Sequence, residues 1–153
     1  MNTSDLQKQF TSWKKRLRLE NQWAITLALK DDPNFKKTGD LTIDADDKKA
    51  EIMINIRNPK QENLEEVIVH ELLHLKLYPM DQMIEKVIDS HVDKDSQAYD
   101  YIYTDFMITL ETTVAEMTKC FLDNFGENKD YSYGRLKTMK SFNELYEGLK
   151  SLK

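Results

Sequence analysis

The chain has 153 residues, 40% of them hydrophobic and 32% charged, with a formal net charge of −5 and a pI near 5.3. That length suits one domain with a real core, spanning 1–153, and is short for two. The acidic balance argues against broad binding to nucleic acid or to an anionic membrane, with Arg135, Lys137 and Lys140 as the one local basic cluster. The single cysteine, Cys120, excludes an internal disulfide and a cysteine-rich metal cage.

The opening residues are polar and periodic, without the apolar stretch of a signal peptide, and nothing in the chain has the apolar length of a membrane span. A cytoplasmic location is the default expectation. Leu6, Phe10, Trp13 and Leu17 recur at helical steps and predict an amphipathic first helix, with Thr3 or Ser4 as its cap. Trp23, Ile25, Leu27 and Leu29 then alternate, as do Leu41, Ile43 and Ala45. Ala50, Ile52, Ile54 and Ile56 alternate in turn against an outer face of Glu51, Met53, Asn55 and Arg57. Short strands joined by tight turns (Asp31–Asn34, Asp46–Asp47) predict a small antiparallel or mixed sheet.

Asn63 and Glu66 have capping-box spacing, so the next helix is expected from about residue 64, with Pro79 closing it. A shorter helix over roughly 80–90 would turn Met83, Ile84, Val87 and Ile88 inward, and 91–97 reads as a loop. From about Gln97 to Phe125, Tyr99, Tyr103, Phe106, Leu110, Val114, Met117, Phe121 and Phe125 form one long stripe, with Gly126 as the C-cap. After an irregular stretch, Ser141 and Glu144 predict a final helix burying Leu145, Leu149 and Leu152.

Within VIVHELLHLKLYP (67–79), His70 and His74 stand at i and i+4 and therefore project from one helical face. Glu71 lies about 100° around the helix from His70, placed to take a proton from an attacking water without competing as a ligand. This is the HExxH pattern of zinc hydrolases, in which two imidazoles grip the ion and the glutamate is the base. The competing reading is a pair of hydrogen-bonded core histidines. It is disfavoured because Ile68, Val69, Leu72, Leu73 and Leu75 make the helix apolar over most of its surface, and buried imidazoles and carboxylates need a partner.

A catalytic zinc takes three protein ligands. The choices for the third are His91, Glu111 and Glu116. Glu111 shares the core-facing stripe of the long helix and there needs a cation, whereas Glu116 falls with Thr112, Thr113 and Cys120 and suits a solvated or supporting role. His91 sits at the edge of a charged loop.

With VIVHELLHLKLYP, PMDQMIE (79–85) and FMITLETTVAEMTK (106–119), the chain resembles small, single-domain zincin-type metallopeptidases of bacteria and phages over roughly residues 10–125. The resemblance implies an α+β minimal zincin-like fold, in which a sheet of about three strands packs with the HExxH helix and a second long helix. It also implies zinc held by His70, His74 and Glu111, with Glu71 as catalytic base. One departure is Ala115, where glutamate-zincins often carry an aspartate that steadies a histidine. The expected function is zinc-dependent hydrolysis of peptide bonds in a protein or peptide substrate, with Tyr131, Tyr133, Arg135 and His91 as candidate oxyanion donors. The alternative is a non-catalytic, metal-stabilised module that binds a protein partner. The oligomeric state is left open by the sequence.

Overall fold

The computed structural model describes residues 3–133, 136–141, 144 and 145. Helix α1 spans Thr3–Arg16 and buries Leu6, Phe10 and Trp13, as their spacing predicts. It already includes Thr3 and Ser4 within the helix, so neither stands as the cap expected of it. Beyond it, the Leu19 N–H donates to the Lys14 carbonyl and Arg18 adopts φ 56°, a Schellman-type ending with arginine in the usual glycine position.

Strands β1 (Ala24–Lys30), β2 (Gly39–Asp44) and β3 (Lys49–Asn55) form a mixed sheet in the order β1-β3-β2. β3 runs parallel to β1 and antiparallel to β2, leaving one edge of β2 unpaired. The predicted inner face is present, with Ala50, Ile52 and Ile54 buried against the helices. Two expectations for this strand fail at its end. Ile56 is exposed, and Asn55 is buried because its side chain acts as a clamp. Its Nδ2 donates to the carbonyls of Phe35 (2.8 Å) and Lys37 (3.0 Å), while its Oδ1 accepts from the N–H groups of Arg57 and Asn58. That clamp fixes the loop leading into β2.

Helix α2 runs without a break from Leu64 to His91, with Pro79 inside it. The expected stop at Pro79 and separate helix over 80–90 are therefore corrected. Proline's fixed φ is helical, and what it removes is its own N–H bond to the carbonyl four residues back, a loss the flanking turns here absorb. Met83 and Val87, expected inside, are exposed, and only Ile88 of residues 80–91 is buried. The start is as predicted, with Asn63 Oδ1 accepting from Glu65 N and Glu66 N. The reciprocal half of the capping box is not made to Asn63, since Glu66 Oε2 accepts instead from the Ser132 N–H.

Helix α3 spans Gln97–Phe125 and packs along α2, burying Leu110, Val114, Thr118 and Leu122. Gly126 is its C-cap in an extended conformation, its N–H bonded to the Leu122 carbonyl. A Cβ there would lie 2.7 Å from that oxygen, so close approach rather than a left-handed φ explains the glycine.

The strap over 126–133 crosses the start of α2. Glu65 is 1% exposed and gathers three distant donors, the Trp13 indole N–H at 2.7 Å, the Asn128 N–H at 2.7 Å and the Glu127 N–H at 3.1 Å. Asn63 Nδ2 adds bonds to the carbonyls of Asn128 and Asp130, and Lys137 pairs with Glu62. A short 3-10 turn follows at Leu136–Thr138. The predicted final helix, with Leu149 and Leu152, lies largely outside the described residues. At its start Glu144 N donates to Ser141 Oγ and Ser141 N to Glu144 Oε2, a capping box as its spacing predicts, although Leu145 is exposed. Among the described residues no helix is long and apolar enough to cross a membrane.

Candidate metal centre

The middle of α2 sets two imidazoles side by side, His70 and His74, with Nε2 atoms 3.1 Å apart. Across the α2–α3 packing, Glu111 presents one oxygen to each ring, Oε2 at 3.4 Å from His70 Nε2 and Oε1 at 3.3 Å from His74 Nε2. Hydrogen bonding among these groups alone is a poor solution. Both rings would have to donate to Glu111, leaving two N–H groups pointed into a 3.1 Å gap, and 3.3–3.4 Å is long for a charge-assisted bond, which typically measures about 2.7–2.9 Å. Donors about 2.0–2.1 Å from a central tetrahedral cation would be about 3.3–3.4 Å from one another. With one ligand atom from each within 4.8 Å of the others, the three residues could hold a metal cation by two nitrogens and one carboxylate.

Of the three candidates for third ligand, Glu111 is the one the fold brings to the histidines, though not for the reason of burial. Its side chain is 55% exposed, at the mouth of a cleft rather than on the core face. Glu116 is exposed and paired with Lys119 at 2.6 Å. His91 ends α2, some 25 Å along the helix from His74 by the rise per residue, with Nδ1 against the Val87 carbonyl.

Glu71 stands at the floor of the same cleft. Burial pushes its carboxyl above the ordinary glutamate range, Asp40 and Glu111 add to this, and His70 and His74 oppose it. Burial also disfavours a charged His74 ring, but the hydrogen bond and charge of Glu111, with the charges of Glu71 and Asp81, outweigh it and raise its pKa. The hydrogen bonds of His70 and then His74 hold the Glu111 carboxyl far below the usual carboxylate range. Two carboxylates lining one cleft are therefore driven in opposite directions, the condition that lets one remain a ligand and the other handle protons.

The cleft, of about 560 Å³, is completed by groups the motif does not announce, the β2 entry Lys37–Asp40 and the pre-helix loop at Lys60 and Gln61. Gly39 touches the candidate base so closely that a Cβ there would lie 2.6 Å from both Glu71 Oε1 and Val67 Cγ1. Lys37 donates to Asp40 at 2.8 Å, and that bond raises its pKa. Gln61 Oε1 is buried without a hydrogen-bond donor among the described residues. The signal for this wall was available in the sequence, a glycine opening a strand and flanked by Lys37 and Asp40, but only the fold puts it opposite residue 71.

Among the described residues, the expected oxyanion donors are not in the cleft. Tyr131 gives its hydroxyl to Asp123 at 2.7 Å, Tyr133 is exposed, and neither lines the cleft. Arg135 lies outside the described residues. No protein-family model, curated protein or solved structure matches the chain significantly.

Proposed function

We propose that the chain is a zinc-dependent hydrolase of peptide bonds, as its zincin-like motif suggests. The observation that carries the reading is that two imidazoles and a carboxylate, their ligand atoms within 4.8 Å of one another, border an open cleft whose floor is a glutamate with a raised pKa. Zinc bound by His70, His74 and Glu111 supplies a Lewis acid that makes water a nucleophile near neutral pH. Glu71 accepts the proton of the attacking water and delivers it to the departing amine, a role favoured by a pKa nearer to neutrality than that of a solvated glutamate. The unpaired edge of β2 opens beside these groups at Gly39 and Asp40, so an extended peptide can add to it as a strand and bring its carbonyl to the centre. Lys37, steadied by Asp40, and Lys60 place positive charge along the path. A purely structural site gains from a fourth protein ligand and has no use for Glu71.

The test is a pair of variants. His70→Ala loses bound zinc. Glu71→Gln keeps metal and fold and abolishes cleavage of a peptide library. A Glu71→Gln protein that still cleaves at the wild-type rate sinks the mechanism.

A further inference from the structure

Beyond the core, the second half of α2 and the first half of α3 form a helical hairpin. Its seam holds the buried Ile88 and half-buried Phe106 together with two polar bonds between the helices, Tyr103 donating to Glu85 (2.9 Å) and Tyr99 to Asp89 (2.9 Å). Several other large apolar side chains face away. On α2, Met80, Met83 and Val87 are 48%, 58% and 53% exposed, and on α3, Tyr101 and Ile108 are 71% and 59% exposed.

Helical geometry puts these two stripes on opposite edges. Met83 and Val87 are each two residues from Glu85, about 160° around α2 from the seam, and Tyr101 is two residues from both Tyr99 and Tyr103. Each stripe covers two turns, from Met80 to Val87 and from Tyr101 to Ile108, about 10 Å in both cases. Their charges are opposite. Among the described residues, the shallow groove along the α2 stripe is lined by the cation Lys86 and no carboxylate, and the groove along the α3 stripe by Asp100 and Asp105 and no cation.

We propose that the α2 edge of one molecule docks on the α3 edge of a second copy of this chain, head to tail. The equal lengths of the apolar stripes and the opposite signs of their flanking charges select this occupant, since either edge facing its own kind would oppose like charges. Because the edges lie on opposite sides of the hairpin, the contact is heterologous, and it propagates into a ring or an open array rather than closing as a two-fold dimer.

Sedimentation of the full chain, compared with Val87→Asp on one edge and Ile108→Asp on the other, tests this. Wild type should associate reversibly with concentration. Each variant alone should be monomeric, its self-association weakened by about tenfold or more. The equimolar mixture should form a 1:1 heterodimer that does not grow, because each variant keeps the edge the other lacks. Both positions are exposed, and melting temperatures matching wild type establish that the variants fold. Met83→Asp and Tyr101→Asp provide a second pair with the same expectation. A wild type monomeric from micromolar to submillimolar concentration overturns the proposal, as does either variant alone associating like wild type.

Discussion

Gly39→Ala is the sharpest perturbation of the candidate centre that leaves all its polar groups in place. Gly39 does not have a positive φ, so alanine is acceptable to the backbone and the effect is steric. The new methyl would sit 2.6 Å from Glu71 Oε1 and 2.6 Å from Val67 Cγ1, against a normal contact of about 3.5 Å, so both neighbours must yield by about 1 Å. Val67 is buried and β-branched, with little freedom to turn, so relief on that side takes a shift of backbone and costs stability, whereas the Glu71 carboxylate ends a flexible stem and swings aside. The glutamate therefore moves. An error of about 1 Å in a reacting group costs about 10²-fold in kcat/KM, or about 2.7 kcal/mol of barrier, with a stability loss of about 1–3 kcal/mol from overpacking. Zinc stoichiometry should be unchanged, since Gly39 touches none of the three candidate ligands. Peptide turnover and metal content measured on the same sample decide the matter. Wild-type turnover in Gly39→Ala refutes the placement of Glu71 as base, and loss of metal refutes the separation of base from ligands.

Zinc at about a hundredfold above its Kd should stabilise the fold by about 2.7 kcal/mol, a rise in melting temperature of roughly 5–10 °C that chelation reverses and His70→Ala abolishes. The Tyr103 hydroxyl, held by its hydrogen bond to Glu85, has its pKa pushed up to about 12. A raised pKa stabilises the fold fully below the ordinary tyrosine value of about 10, and the contribution disappears as pH climbs through 12. Tyr99 and Tyr131 are also raised, so ultraviolet titration should show several late tyrosines, of which the last is removed by Tyr103→Phe and returned toward the ordinary range by Glu85→Gln. Glu65→Ala should cost about 3 kcal/mol in urea denaturation, since it strands the Trp13 indole and the strap N–H groups.

The sequence was legible where one face of an element is buried. The inner residues of α1 and β3, the Asn63 cap and the i, i+4 histidines all follow from periodicity and local chemistry. Glu111 was found by asking which acidic side chain shares a face with a core stripe, yet it stands at an open cleft, because helix periodicity gives direction and not depth. Pro79 misled because proline is a strong stop only where the neighbouring turns cannot absorb one missing bond. Met83 and Val87 misled because apolar spacing does not say whether the surface meets the molecule's own core. Gly39, Asn55 and Glu65 were opaque for a different reason. Their roles are relations between segments distant along the chain, and no local pattern encodes them.

Glu65 also constrains when the molecule is complete. Its partners come from residue 13 and from residues 127 and 128, so both ends of the chain must arrive before that charge is neutralised by donors. A polypeptide released after Phe125 would hold both histidines and both cleft glutamates, yet its Glu65 would keep the Trp13 indole and lack the two strap N–H groups that complete its bonding. Such a fragment should be less stable than the longer chain, because a carboxyl buried between the first and second helices would lack most of its donors.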